Sequence, residues 1–329
     1  MNAGRLLDRH PGALYGQHTA PIFLKVPVSR WQLLGGSRSK PEMAEEVLQL
    51  RNSKRLDLVE SDGKQREVGR VKAIEGDFSF SIDSQKGAIR ILVAETQMGM
   101  SAVDINQREF LYSAEGEPVV QIRVGTCGGL NTRKLEYPVL GMGDVIIADR
   151  NLGSSGAIMQ QLGYFPKIMP DSGANDELAL FLNKWRGLGG ELASDGRFLS
   201  IKNHPQVTLA LQQAADLLGA KFYVGGSFAK ESLYAEGAEE MMLQLREREG
   251  VLASEMEQLQ NAFLAALARA KQGINAMSGM VLAAIGAVPG PGFPSPDDRA
   301  ALKTQEETEA KTLQIGAGAL ALLSRWMKQ

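Results

Sequence analysis

The 329-residue sequence predicts an α/β fold: a three-layer αβα domain with helices on both faces of a central twisted, mixed but largely parallel sheet. Three observations carry this prediction. Short runs rich in Val, Ile and Leu recur along the chain, as strands buried on both faces require. Segments with helical spacing lie between them, so strand and helix alternate. The composition, 44% hydrophobic and 22% charged, is that of a globular chain with enough apolar material for a sizeable core.

The elements follow in order. Residues 1–40 scatter Pro, Gly and Ser with little periodicity and read as an N-terminal arm, leaving 41–329 as a single domain. PEMAEEVLQL, from Pro41, has the makings of a short helix. AIRILVAE (88–95) reads as a buried strand, and SAVDINQREFLYS (101–113) as a helix with Val103, Ile105 and Phe110 near one side. VVQIRV (119–124) and GDVIIAD (143–149) are the next two strands. VTLALQQAADLLGA (207–220) is an amphipathic helix ending at Gly219, followed by the strand KFYVGGSF (221–228). SEMEQLQNAFLAALARAKQ (254–272) reads as one helix, with Ser254 as cap and Glu257 as its capping-box partner. GMVLAAIGAV (279–288) is a buried strand, the proline-rich 289–299 a loop, and 304–327 a closing helix. RGLGGE (186–191) superficially resembles a nucleotide loop, but no buried strand precedes it, so it reads as an ordinary loop.

The totals exclude several classes. A net charge of −2 provides no basic field for nucleic acid or anionic lipid. The lone Cys127 rules out an internal disulfide and a cysteine-based zinc site, and His10, His18 and His204 are too few for a histidine-rich metal centre. The start lacks the apolar core of a signal peptide, and no run approaches the roughly 18 apolar residues of a membrane helix. The expectation is a cytoplasmic protein with neither nucleic-acid nor membrane partners, and without metal or cofactor.

RVGTCGGL (123–130) carries the chemistry. A strand running into a glycine-rich turn lets backbone N–H groups approach an anion, with Arg123 adding a forked cation and Thr126 a hydroxyl donor. A tight turn with a solvated arginine explains the octapeptide equally well.

RVGTCGGL, GDVIIAD, the E-M-E triplet of Glu255, Met256 and Glu257, and a closing helix beginning KTQEETEA together resemble the nucleoside phosphorylase superfamily, with uridine phosphorylases as the nearest branch. VTLALQQAADLLGAKFYVGGSF strengthens the likeness, which runs in order from about residue 50 to the C-terminus. The resemblance implies phosphorolysis of a nucleoside to free base and ribose 1-phosphate, with inorganic phosphate as co-substrate. It implies phosphate contacts from Arg123, Gly125 and Thr126, and ribose contacts from Glu257, with Met256 under the sugar ring and Glu255 in support. Thr96 is assigned to the ribose; Gln97, Met98 and Gly99, in the turn TQMGMSA (96–102), are assigned to the base. Core filling accounts for the methionines equally well. A homodimer or ring of dimers follows from the same likeness.

The sequence also departs from that pattern. The family's first phosphate loop, G-D-P-x-R, finds its nearest match in RNSKR (51–55), where only Arg55 is retained. Arg70 and His18 are candidates for the neighbouring-subunit arginine and the 5′-hydroxyl contact. The base-reading run F-x-x-G-Q-x-R is replaced by FAKESLY (228–234): Phe228 remains for stacking, while Ser232 and Tyr234 stand for glutamine and arginine. Hydrolysis by a nucleosidase, a purine-specific phosphorylase and a non-catalytic nucleoside-binding protein are the alternatives.

Overall fold

The computed structural model describes residues 27–36, 40–61, 64–67, 71–82, 84–132, 134, 137–164, 174–194, 196–230, 239–288 and 298–328. In chain order the elements are β1 (Val28–Gly35), α1 (Lys40–Leu48), β2 (Arg51–Arg55), β3 (Leu58–Ser61), β4 (Lys64–Glu67), β5 (Ala73–Ile82), β6 (Gln85–Glu95) and α2 (Met100–Ser113). Next come β7 (Ala114–Leu130), β8 (Val145–Gly153), α3 (Gly156–Gln161), α4 (Ala174–Gly187), β9 (Gly190–Leu192), β10 (Leu199–Lys202) and α5 (Pro205–Leu217). The chain closes with β11 (Phe222–Ala229), α6 (Glu239–Glu249), β12 (Val251–Glu255), α7 (Gln258–Leu267), β13 (Ala276–Val288) and α8 (Arg299–Trp326).

Eleven strands form one sheet in the order β2-β5-β6-β1-β7-β12-β11-β8-β10-β9, with β13 pairing both β7 and β8. All five strands expected from apolar runs lie in it. β13 runs parallel to β7 and antiparallel to β8, so β7, β12, β11, β8 and β13 pair in a closed circuit. Cys127, Ile146, Ala148, Met280, Leu282 and Ala284 pack together along these strands. The sheet is mixed: β1 is parallel to both neighbours, while β2–β5, β5–β6 and the β8–β10–β9 edge are antiparallel.

Period-two alternation sorts the faces. Val120, Ile122 and Val124 of β7 pack with α1, α5 and α8 in the largest apolar cluster. Gln121 and Arg123 point the other way, under α2 and α7. Close packing against α5 is set by Gly279, where a Cβ would come within 2.3 Å of Val207 Cγ1. Among the described residues no helix is long and apolar enough to cross a membrane.

Three expectations are corrected here. Residues 28–35, assigned to the arm, form β1 in the interior of the sheet between β6 and β7. The strand at 119–124 does not stop at a glycine turn; β7 continues through RVGTCGGL to Leu130, its glycines paired with β13 and β12. The helix read from Ser254 to Gln272 divides into β12, α7 from Gln258, and a π-helical turn over Ala268–Gln272. Ser254 makes no capping bond, nor does Glu257. Glu255 caps α7 instead, its Oε2 accepting from the N–H groups of Glu257 and Gln258 at 2.6 and 2.8 Å.

Candidate active site

The carboxyl ends of β1, β6 and β12 converge beside the middle of β7, and this is where the polar side chains gather. In open α/β sheets such strand ends form the ligand crevice. Arg123 is central. Its guanidinium is buried, with Nη2 2.6 Å from Glu257 Oε2, the two side chains only 5% and 7% exposed. Nη1 donates to Thr96 Oγ1 at 3.0 Å, and Nε–H is buried without a partner. The other oxygen of Glu257 accepts from the backbone N–H of Gly99 at 3.0 Å.

Local backbone conformation makes these contacts possible. β6 ends at Glu95, and Thr96, wholly buried, docks onto β1 by donating its N–H to Gly35 O at 2.7 Å. Gln97 then takes a left-handed φ of 62° and Gly99 a φ of 89°, which turns the chain into α2 and aims the Gly99 N–H at Glu257. Met98, between them, is 69% exposed. Gly36 sits against the guanidinium: a Cβ there would lie 3.1 Å from Arg123 Nη2 and 3.6 Å from Gln97 O.

Glu255 lies alongside with Oε2 used as the α7 cap and Oε1 buried without a partner. Burial and the neighbouring Glu257 carboxylate push its pKa up to about 7, against the opposing pull of Arg123. Burial, with Glu255 adding to it, also raises the Cys127 thiol, so that side chain is inert core.

Behind the cluster runs a buried chain of amides. Gln121 of β7 donates to Gln32 Oε1 of β1 at 2.8 Å and accepts from Gln107 of α2 at 2.9 Å. Gln107 also donates to Asn261 of α7, and Asn261 to Gln258 Oε1 at 2.8 Å. Gln258 donates to Asn203, which accepts from Asn151, which accepts from Ser227 of β11. The series ties the Arg123 strand to the helix that starts beside Glu257.

The structure therefore assembles Arg123, Thr96, Gly99 and Glu257, with Glu255 beside them and Met256, half-buried, between the two glutamates. The role expected of Thr96 and the places of the other expected residues differ. Thr96 is fully buried and engaged by Arg123 and Gly35 O, so it positions the guanidinium and is not exposed to a sugar. Regular pairing of β7 with β13 places Thr126 on the opposite pleat from Arg123. Gly125 is an in-register strand residue whose missing Cβ would meet Leu282 Cδ2 at 3.6 Å. Arg55 is in β2, four strands from β7, hence about 19 Å away at sheet spacing. It is paired with Asp57 at 2.6 Å and Glu42 at 3.4 Å. Phe228 is a core ring, 5% exposed, edge-on to Phe198 at 5.0 Å. His18, Arg70, Ser232 and Tyr234 lie outside the described residues.

Gly35, Gly36 and the amide chain were missed by the sequence reading. The available signal was the apolar run WQLL ending in a glycine pair, the pattern of a strand entering a close-approach turn. It was obscured by the unpatterned residues before it.

A mixed sheet with a buried arginine–glutamate pair at its strand ends places the protein in the α/β class, and its likeness to known proteins narrows that class. The family model of the phosphorylase superfamily matches residues 42–314, so the chain belongs to that superfamily. Among solved structures, the chain is similar to the purine nucleoside phosphorylase from Toxoplasma gondii in complex with immucillin-H. That likeness has a TM-score of 0.54 and 19% identity, covering 91% of this chain and 93% of that one. It is also similar to the uridine phosphorylase from Vibrio fischeri ES114 complexed with 6-hydroxy-1-naphthoic acid, with a TM-score of 0.54, 14% identity, and coverage of 89% and 92%. No curated protein matches the chain.

Proposed function

We propose that the protein cleaves the N-glycosidic bond of a nucleoside with inorganic phosphate, releasing the free base and a pentose 1-phosphate. The observation that carries this reading is the buried Arg123–Glu257 pair with its unpartnered Nε–H at the strand ends. A phosphate oxygen bonds to C1′ as the C1′–N bond breaks. The bonding electrons leave with the base, which takes up a proton. Arg123 binds and orients the phosphate, with Gly36 giving it room to approach. Glu257 accepts from the sugar hydroxyls and stabilises the positive charge that grows on the ring. Met256 lies under the sugar. Uridine is the first substrate to test, because the sequence motifs sit nearest that branch. A two-fold assembly and a cytoplasmic location belong to the same proposal.

Hydrolysis is the second reading. It is favoured by one observation: the Arg123 fork already holds a carboxylate. Incubating the full chain with a panel of uridine, thymidine, inosine and adenosine, with and without phosphate, separates the two by the bases released. Phosphorolysis requires phosphate-dependent release with pentose 1-phosphate as co-product. Release independent of phosphate overturns it in favour of hydrolysis.

A further inference from the structure

The cation that should hold the phosphate arrives with its counter-ion in place. Glu257 and Arg123 are a buried ion pair at 2.6 Å, neutral before Glu255 is counted. Among the described residues, two lysines near the β1–β6 end are also matched, Lys40 with Glu309 and Lys72 with Glu42. A phosphate dianion entering this site meets a cation whose charge is already compensated, in surroundings where further uncompensated charge is costly. A sugar brings the opposite chemistry. Its hydroxyls are donors, and two acceptors face the same cluster: the Glu257 carboxylate and the unpartnered Oε1 of Glu255.

We infer that Glu257 is an internal anion that keeps phosphate off Arg123 until a sugar is bound. The pentose hydroxyls donate to Glu257 and Glu255 and draw Glu257 from the guanidinium. Arg123 then turns its fork and its free Nε–H to the phosphate. The two ligands bind in order, nucleoside before phosphate, and each raises the affinity of the other by the same factor, as linkage demands. This rests on the reading that the site takes a nucleoside and an anion. It adds that one carboxylate serves both, first as a block and then as the sugar's acceptor.

The test is calorimetric titration of the full-length protein with sulfate, a non-reacting stand-in for phosphate. Wild type should bind sulfate at least tenfold more tightly with saturating uridine or inosine than without either. Glu257→Gln, which keeps the shape and removes the charge, should bind sulfate at least tenfold more tightly than wild type with no nucleoside present. Glu257→Asp, one methylene shorter, should give a smaller gain. Adding Arg123→Met to Glu257→Gln should abolish the gain, and far-UV circular dichroism confirms that each variant is folded. Equal sulfate affinity in wild type and Glu257→Gln overturns the inference, as does sulfate binding to wild type that neither nucleoside changes. The Glu257→Gln titration requires no turnover. If it shows the gain and a nucleoside tightens sulfate binding to wild type while the panel yields no base, phosphorolysis fails and the internal anion stands.

Discussion

Replacing Arg123 by Met removes the charge of a buried pair while keeping much of the side chain's volume. The surviving Glu257 carboxylate, 7% exposed, keeps one hydrogen bond, from Gly99 N–H, and faces Glu255 with no cation between them. Removing one member of a buried pair costs about 3–5 kcal/mol, because the other charge is left uncompensated. Glu257→Gln should cost a similar amount by stranding Arg123, whose Nη1 bond to Thr96 is neutral. The double variant leaves neither member of the pair as a lone charge, so its loss should fall short of the sum by about 3 kcal/mol. Urea unfolding at pH 7.5 measures all four corners of the cycle, with a constant dependence on denaturant as the check on two-state behaviour. Additivity within about 0.5 kcal/mol would mean that the pair is not coupled in solution, and the account of the site would fail with it.

Further outcomes follow from the same geometry. Glu255, with a pKa raised to about 7 against 4.5 for the ordinary group, contributes stability below the unfolded value that is lost as pH rises from about 4.5 through 7. Glu255→Gln keeps an acceptor for the α7 cap and should flatten this decline; parallel urea-midpoint curves for variant and wild type would refute it. Gln121→Leu strands Gln32 Oε1 and weakens the hold on Gln107, at roughly 1–3 kcal/mol for each unsatisfied group. An unchanged unfolding midpoint would show the amide chain to be dispensable. Phe228→Ala should cost about 3–5 kcal/mol as a core cavity; a selective loss of base affinity at full stability would instead return that ring to the pocket. Gly36→Ala should lower phosphate-dependent turnover about tenfold by displacing the guanidinium, with little change in stability. Wild-type kinetics in that variant would separate β1 from the site.

The amino-acid sequence by itself determined the class of the fold and the identity of its central charges. Doubly buried strands must be continuous apolar runs, so β6, β7, β8, β11 and β13 announce themselves. The family pattern selected Arg123 and the Glu255–Glu257 triplet by order along the chain. Local pattern failed wherever partners decide the outcome. VLASE is short and borders a helical pattern, and it became β12 because β11 and β7 offered it hydrogen-bonding edges. RVGTCGGL resembles a turn in isolation, yet its glycines are strand residues held in register by β13 and β12. Glu257 has a capping-box position in the sequence, but tertiary packing gave the cap to Glu255 and freed Glu257 to meet Arg123. Gln32, Gln107, Gln121 and Asn261 carry no local signal, because a glutamine on a strand or helix reads as surface until its partners are known. Arg55 lost its assigned role for the same reason: a short arginine motif fixes chemistry but not distance, and three strands of sheet lie between its strand and that of Arg123. Periodicity encodes which face of an element is buried. Which side chains meet across faces is settled by strand order, and that order is a property of the assembled sheet.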